Sequence, residues 1–360
     1  MGIFNKIVQK GPGWFVQRSW YGLKTSRNSG IRSLARLLTG RSKALQSDLY
    51  GFYDLNSSSP SYNFLQFLLC LEHFAADTNQ PSYSVVIVPK GIPAKLEWNV
   101  LKESYGTDAI NYRTMHLLSD LATLGPRCRG VFALADRSIA KLFAQHGSTF
   151  PKDYGFYIGG GFDADLHTSL ITNGVRAELM PPVHASKLVD DWMAWQKPSR
   201  GLVTITLRNS TFDPVRNSDL PEWTKFAEYL RKAGYQPVII PDTDTAFSEQ
   251  TATVADASIG TAAAFNVGVR LSLYQRAFVN FFVPNGPSGL AVYSGKIKYI
   301  GMKTWLPDSA ITPNNPEAYG YMNANNTAAV WASPGQWLTG ELDKYPNLVR
   351  LFEQFVSTIS

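Results

Sequence analysis

The chain has 360 residues, 44% of them hydrophobic and 17% charged, with a formal net charge of +6. These values describe a well-packed globular protein with a prior of two domains, and they exclude a disordered chain. The charge is uneven: residues 1–47 hold nine basic residues and no acid, which leaves the remainder with 25 basic and 28 acidic residues. The body therefore makes a poor electrostatic partner for nucleic acid, and none is expected.

Cys70 and Cys128 are the two cysteines. That count excludes a disulfide framework and a cysteine metal knuckle, and it fits a cytoplasmic protein. No run reaches the ~18 apolar residues of a membrane span. No secretory h-region opens the chain.

Residues 1–46 read as a basic amphipathic arm. Ile31, Leu34, Leu37, Leu38 and Leu45 interleave with Arg32, Arg36, Arg41 and Lys43. One reading is adsorption to an anionic membrane surface, which would place the protein peripherally at the inner face of a membrane. The other is a helix packed on the body with solvated arginines.

The first α/β unit starts with a strand at Leu49–Leu55, followed by a helix over 61–76 and a strand over 83–89. Val85-Val86-Ile87-Val88 is a continuous apolar run, as expected of a parallel strand covered on both faces. Residues 130–135 and 136–145 repeat the strand-then-helix pattern, and 154–158 reads as a short strand. Lys187–Arg200 is charged, carries tryptophans and closes on Pro198. The domain boundary is placed there, with 47–197 as an N-terminal and 198–336 as a C-terminal Rossmann-like domain.

The second domain opens on Leu202–Leu207, an apolar strand that ends in Arg208. A polar loop, an amphipathic helix over 220–233 and a strand over 237–240 follow. This is a strand–helix–strand unit of a parallel sheet. A helix over 264–277, a strand over 278–283, the turn Asn285-Gly286-Pro287-Ser288, a short helix over 289–293 and a strand over 297–302 complete it. Residues 337–359 read as a terminal helix interrupted at Tyr345-Pro346. The fold class is α/β, with two Rossmann-like domains facing a cleft.

Ligands of open α/β sheets lie beyond the carboxyl ends of the strands. Arg208 stands at that place, and Arg216 is one loop away. Two guanidiniums there suit a phosphate, which their planar forks match bidentately. Gly286 allows backbone to approach a ligand, and Ser288 is positioned to cap a helix whose amides face an anion. Asn285 completes that turn. Asp242 and Asp244 end the second strand and are expected to line the pocket. An Asp-x-Asp pair also suits a divalent metal, but chance supplies ~1 such triplet in a chain of this composition. Asp163 and Asp165 form the other triplet. Gly159-Gly160-Gly161-Phe162-Asp163-Ala164 satisfies a dinucleotide pattern, yet it lies mid-chain with aspartates where a pyrophosphate would sit. The five histidines have no metal-ligand spacing, and no nucleophile elbow or Walker loop occurs. Asp54, at the end of the first strand, is either a general base for an acceptor hydroxyl or an aspartate turning the chain into the next helix.

On Tyr53-Asp54-Leu55 through Phe67, Val86-Ile87-Val88-Pro89, Ile205-Thr206-Leu207-Arg208 with Arg216-Asn217-Ser218, Val238–Asp244 and Phe282–Gly289, the chain resembles GT-B-type glycosyltransferases. The likeness is to an uncharacterised bacterial branch of the fucosyltransferase-like group. It covers roughly residues 49–302. The resemblance implies that Arg208 binds the donor diphosphate and that no metal or other cofactor is required. The histidine-arginine pair usual in that group is absent, since Thr206-Leu207 precedes Arg208. The expected activity is transfer of a sugar from a nucleotide sugar to a hydroxyl of a bacterial surface glycan or a lipid-linked acceptor. A nucleotide-sugar epimerase and a non-catalytic nucleotide- or sugar-binding protein are the alternatives.

Overall fold

The structure, a computed structural model, describes residues 48–91, 106–152, 154–155, 164–176, 178–248, 259–306 and 327–359. The basic arm and the Gly159-Gly160-Gly161 motif with Asp163 lie outside these residues. By internal contacts the chain forms two compact units. Residues 1–59, 70–98 and 127–163 make the first, and 60–69, 99–126 and 164–360 make the second. Each is built on a parallel sheet.

The first sheet has the order β3-β2-β1-β4, with β1 Leu49–Asp54, β2 Tyr83–Val88, β3 Cys128–Ala133 and β4 Ser148–Phe150. All pairings are parallel, with Phe52 opposite Val86 and Val86 opposite Phe132. β2 is buried along its whole length, as its unbroken apolar sequence requires. β3 is an edge strand and is half exposed. α1 (Phe64–Asp77) follows β1 in the chain. The Phe52 ring stacks on Tyr154 at 4.2 Å between centroids, and α3 (Ala140–His146) packs Ala140 and Ala144 into the same cluster. Of the strand expected at 154–158, Tyr154 and Gly155 are in no strand and residues 156–158 lie outside the described residues; the neighbour of β1 at the sheet edge is β4. Pro151 follows it at once and has no N–H to continue a ladder.

The second sheet has the order β6-β5-β7-β8-β9, again all parallel. Its strands are β5 Leu202–Thr206, β6 Gln236–Ile240, β7 Val279–Phe282, β8 Tyr299–Gly301 and β9 Gln336–Leu338. α6 (Leu220–Lys232) buries Trp223, Phe226, Ala227 and Leu230, one helical stripe at i, i+3, i+4 and i+7. α10 (Tyr345–Ile359) adds Leu348, Leu351, Phe352 and Phe355 to that core. The Phe226 ring meets Phe281 at 4.9 Å and Phe352 at 6.0 Å.

Two sequence expectations are corrected. The helix expected over 264–277 is two helices, α7 (Ile259–Phe265) and α8 (Val267–Arg276), because Asn266 turns the chain and caps α8 by accepting the Val269 N–H at 2.9 Å. Residues 337–359 are not one interrupted helix: Gln336–Leu338 is a strand, and Pro346 lies in the first turn of α10, where a missing N–H costs nothing. The charged stretch at 187–200 is mostly α5 (Val183–Gln196). By internal contacts, residues 164–197 group with the second unit. The reason is packing on α8: Asp190 pairs with Arg276, Leu179 accepts a bond from Gln275 at 3.0 Å, and Gly268 leaves room for Ala185.

Candidate functional site

The carboxyl ends of β5, β6 and β7 open onto a cavity of about 660 Å3. Every residue that lines it belongs to the second unit. Its volume is in the range that takes a small ligand or a nucleotide. Its charged lining consists of Arg113, Arg208, Arg216 and Arg270 against Asp120, Asp242 and Asp244, with His116 beside them.

Arg208 follows β5 and is 5% exposed. Its side chain was expected to reach for an anion, but it also holds its own loop. Nη1 donates to the Asp213 carbonyl at 2.9 Å and to Asn217 Oδ1, and Nη2 donates to the Phe212 carbonyl. Ser218 closes the loop, its N–H donating to the Arg208 carbonyl and its Oγ accepting the Arg208 N–H, each at 2.9 Å. Arg216 is buried as well. It donates to the Pro284 carbonyl and lies 3.7 Å from Asp213 Oδ2. Arg208 thus braces the β5 loop, and Arg216 joins that loop to the segment after β7.

Arg270 was not singled out in the sequence. It is 2% exposed, on a helix whose residues 267–274 are all buried. Nε donates to the Ala263 carbonyl at 2.8 Å and Nη2 to the Ala264 carbonyl at 3.4 Å. These carbonyls are at the negative end of α7, where a cation is favoured. Nη1 has no hydrogen-bond partner among the described residues, and the residue lines the cavity. A buried guanidinium with an unused donor is a costly arrangement unless a ligand completes it. The signal was present in the sequence as one arginine inside the apolar run Val267–Tyr274.

Asp242 and Asp244 both line the cavity. Asp242 Oδ2 accepts the Asn209 N–H at 3.0 Å and Oδ1 accepts the Asp244 N–H at 3.4 Å, so it fixes the local chain. Asp244 is exposed. Burial of its carboxyl and the neighbouring Asp242 raise its pKa, and Arg113 pulls it down.

Asn285 and Gly286 line the cavity, and Ser288 does not. Two amides at this turn are internally used: Ser288 donates to Asn285 Oδ1 at 2.9 Å, and Gly289 donates to the Gly286 carbonyl at 3.1 Å. Those two do not face an anion, and α9 (Gly289–Val292) is only one turn long. Gly286 serves another purpose. A Cβ there would lie 2.5 Å from Cδ2 of Tyr62, so glycine makes room for that ring.

Asp54 is in the first unit and does not line the cavity. Its carboxylate is fully buried. It receives both Nη atoms of Arg137 at 2.7 Å, the Tyr154 hydroxyl, and the Asn56 N–H at 2.9 Å. Such a saturated, bidentate ion pair leaves no lone pair for a substrate proton. The geometry is that of a structural pair, contrary to the expected general base.

A further wall of the cavity comes from residues 106–122. Residues 106–112 are helical, Arg113–Leu117 form a π-helical turn, and α2 (Leu118–Ala122) follows. Tyr112, Arg113, His116 and Asp120 line the cavity from there. Sequence reading missed this wall.

No family model and no curated protein matches the chain. Among solved structures, it is similar to the crystal structure of a glycosyl transferase family 9 protein from Veillonella parvula DSM 2008, with a TM-score of 0.48 and 9% identity over 86% of this chain and 97% of that one. It is also similar to Escherichia coli ADP-heptose LPS heptosyltransferase II, with a TM-score of 0.44 and 11% identity over 87% of this chain and 99% of that one. Neither is described as a fucosyltransferase. TM-scores below 0.5 do not identify a shared fold, and the functional reading rests on the chemistry of the cavity.

Proposed function

We propose that the chain is a glycosyltransferase that takes a nucleoside diphosphate sugar as donor and a hydroxyl of a glycan or lipid-linked glycan as acceptor. The observation that carries this reading is the buried Arg270, with Nη1 unpartnered, in one cavity with Arg208, Arg216 and Arg113. Loss of a nucleoside diphosphate puts negative charge on the departing oxygens. Fixed guanidiniums in a partly dry site stabilise that charge without reorganising. With arginines in that role, the reaction needs no metal, and EDTA should leave it unchanged. The basic residues of 1–46 would bring the protein to an anionic membrane surface, at ~1 kcal/mol for each cation near the headgroups. Deletion of 1–46 should then abolish sedimentation with anionic liposomes.

The test of the donor site is calorimetric titration of ADP, UDP, GDP and dTDP into the wild type, Arg270→Ala and Arg270→Lys. One diphosphate should bind the wild type. Alanine should weaken it by roughly 2–5 kcal/mol, as expected when one partner of a buried charged hydrogen bond is removed. Lysine should recover only part, since it keeps the charge and loses the fork. A wild type that binds none of the four sinks the reading.

A further inference from the structure

Displacement at a sugar carbon needs a group to take the proton of the attacking hydroxyl, as well as cations for the departing diphosphate. The arginines supply the second. For the first, the cavity offers three carboxylates. Asp242 is engaged with two backbone amides. Asp244 is exposed and stands beside Asp242. Asp120 also lines the cavity, and it is half-buried where Asp244 is exposed; unlike that of Asp242, its carboxylate accepts no hydrogen bond from a described residue. Burial raises its pKa, and His116, one helical turn before it, pulls it down. The π-helical turn Arg113–Leu117 comes just before, a widening often found where a helix serves a site. From the opposite segment Tyr62 faces the same charges: Arg270, Arg113 and Asp120 all act on its hydroxyl, which burial keeps protonated.

We propose that Asp120 is the general base of the transfer. This assignment rests on the proposed glycosyl transfer. The acceptor oxygen bonds to the anomeric carbon, and its proton passes to the Asp120 carboxylate. The bond from that carbon to the diphosphate oxygen breaks. The electron pair leaves with the nucleoside diphosphate, beside Arg208, Arg216 and Arg270.

The experiment uses the full chain, water as acceptor, and the nucleotide sugar that turns over fastest among ADP-, UDP-, GDP- and dTDP-sugars. Released nucleoside diphosphate is the readout. Asp120→Asn should lower turnover about 100-fold or more while leaving the affinity for the nucleoside diphosphate unchanged. Sodium azide should restore turnover of Asp120→Ala and give a glycosyl azide by mass spectrometry, because azide has no proton to remove. An asparagine variant with wild-type turnover overturns the assignment. So does an alanine variant that azide does not rescue, or one that no longer binds the diphosphate, since Asp120 would then be structural. If the wild type turns over no donor, the glycosyl transfer reading falls together with the assignment.

Discussion

The ammonium of Lys303 lies 2.6 Å from a carboxylate oxygen of Asp343, and both side chains are buried. The same ammonium donates to the Asn217 carbonyl at 2.8 Å. The other Asp343 oxygen accepts the Asp219 N–H at 2.9 Å and the Trp223 indole N–H at 2.8 Å. The pair therefore ties the end of β8 and the approach to α10 to the loop that carries Arg216. It is the support under one wall of the cavity.

Lys303→Ala leaves the Asp343 charge buried and alone. Breaking a buried pair from one side costs about 3–5 kcal/mol. Urea unfolding should show a loss of that order, and the nucleoside diphosphate should bind more weakly, because the loop loses its anchor. A variant within about 1 kcal/mol of wild type, the span of an exposed pair, would show that the ion pair does not bear on the fold.

The contact between Gly286 and Tyr62 gives a second expectation. A Cβ at Gly286 would meet Cδ2 of the ring at 2.5 Å and Cγ at 3.1 Å. The ring must move, and overpacking of this kind costs typically about 1–3 kcal/mol. Gly286→Ala should destabilise the protein, and Gly286→Ala combined with Tyr62→Ala should cost less than the two single changes together. Strict additivity in a double-mutant cycle would show that the ring is not what excludes the methyl group.

Backbone placement was largely legible in the sequence, because period and punctuation are local. β1, β2, β5, β6 and β7 follow from apolar runs, and α6 from a stripe at helical spacing. Arg208 and Arg216 were legible as arginines after a strand. What was not legible is what each side chain is paired with. Asp54 meets Arg137 across 83 residues, and no local pattern announces such a partner. Arg270 depends on two carbonyls at the end of another helix. At the Asn285–Ser288 turn, sequence cannot show that the Ser288 and Gly289 amides are already used.

His167 sets a pH dependence of stability. It is buried, its Nε2 has no hydrogen-bond partner among the described residues, and its ring meets the Tyr293 ring edge-on at 5.3 Å. Burial lowers its pKa to about 4. Above the ordinary histidine value of ~6.5 it is neutral in both states and pH has no effect through it. Between there and about 4 the unfolded chain takes a proton that the folded one refuses. Stability should therefore fall as pH drops through that window, and level off for this group below it. His167→Phe should flatten the melting temperature against pH from 6.5 to 4, relative to the wild type. Equal slopes for the two proteins would exclude His167 as the cause.

Arg208 carries the last expectation, and here loop and ligand are coupled. Its guanidinium satisfies the carbonyls of Phe212 and Asp213 and the side chain of Asn217. An arginine that only reached into solvent would leave folding untouched when removed. This one would leave three acceptors short of a donor, and buried groups left so cost about 1–3 kcal/mol each, less where water enters. Arg208→Ala should thus lower stability in urea as well as diphosphate affinity. Arg208→Lys should restore little of either, because one ammonium on a flexible stem cannot meet three acceptors set by a planar fork. Asn217→Ala separates the two effects. It removes one acceptor from the Arg208 guanidinium and the bond from the Ser210 N–H at 3.0 Å, yet it is not among the residues that line the cavity. Weaker diphosphate binding by a folded Asn217→Ala would show that loop order positions Arg208 and Arg216 for the ligand. Unchanged binding, with only the melting temperature lowered, would confine Arg208 to holding the loop and leave Arg270 as the anchor.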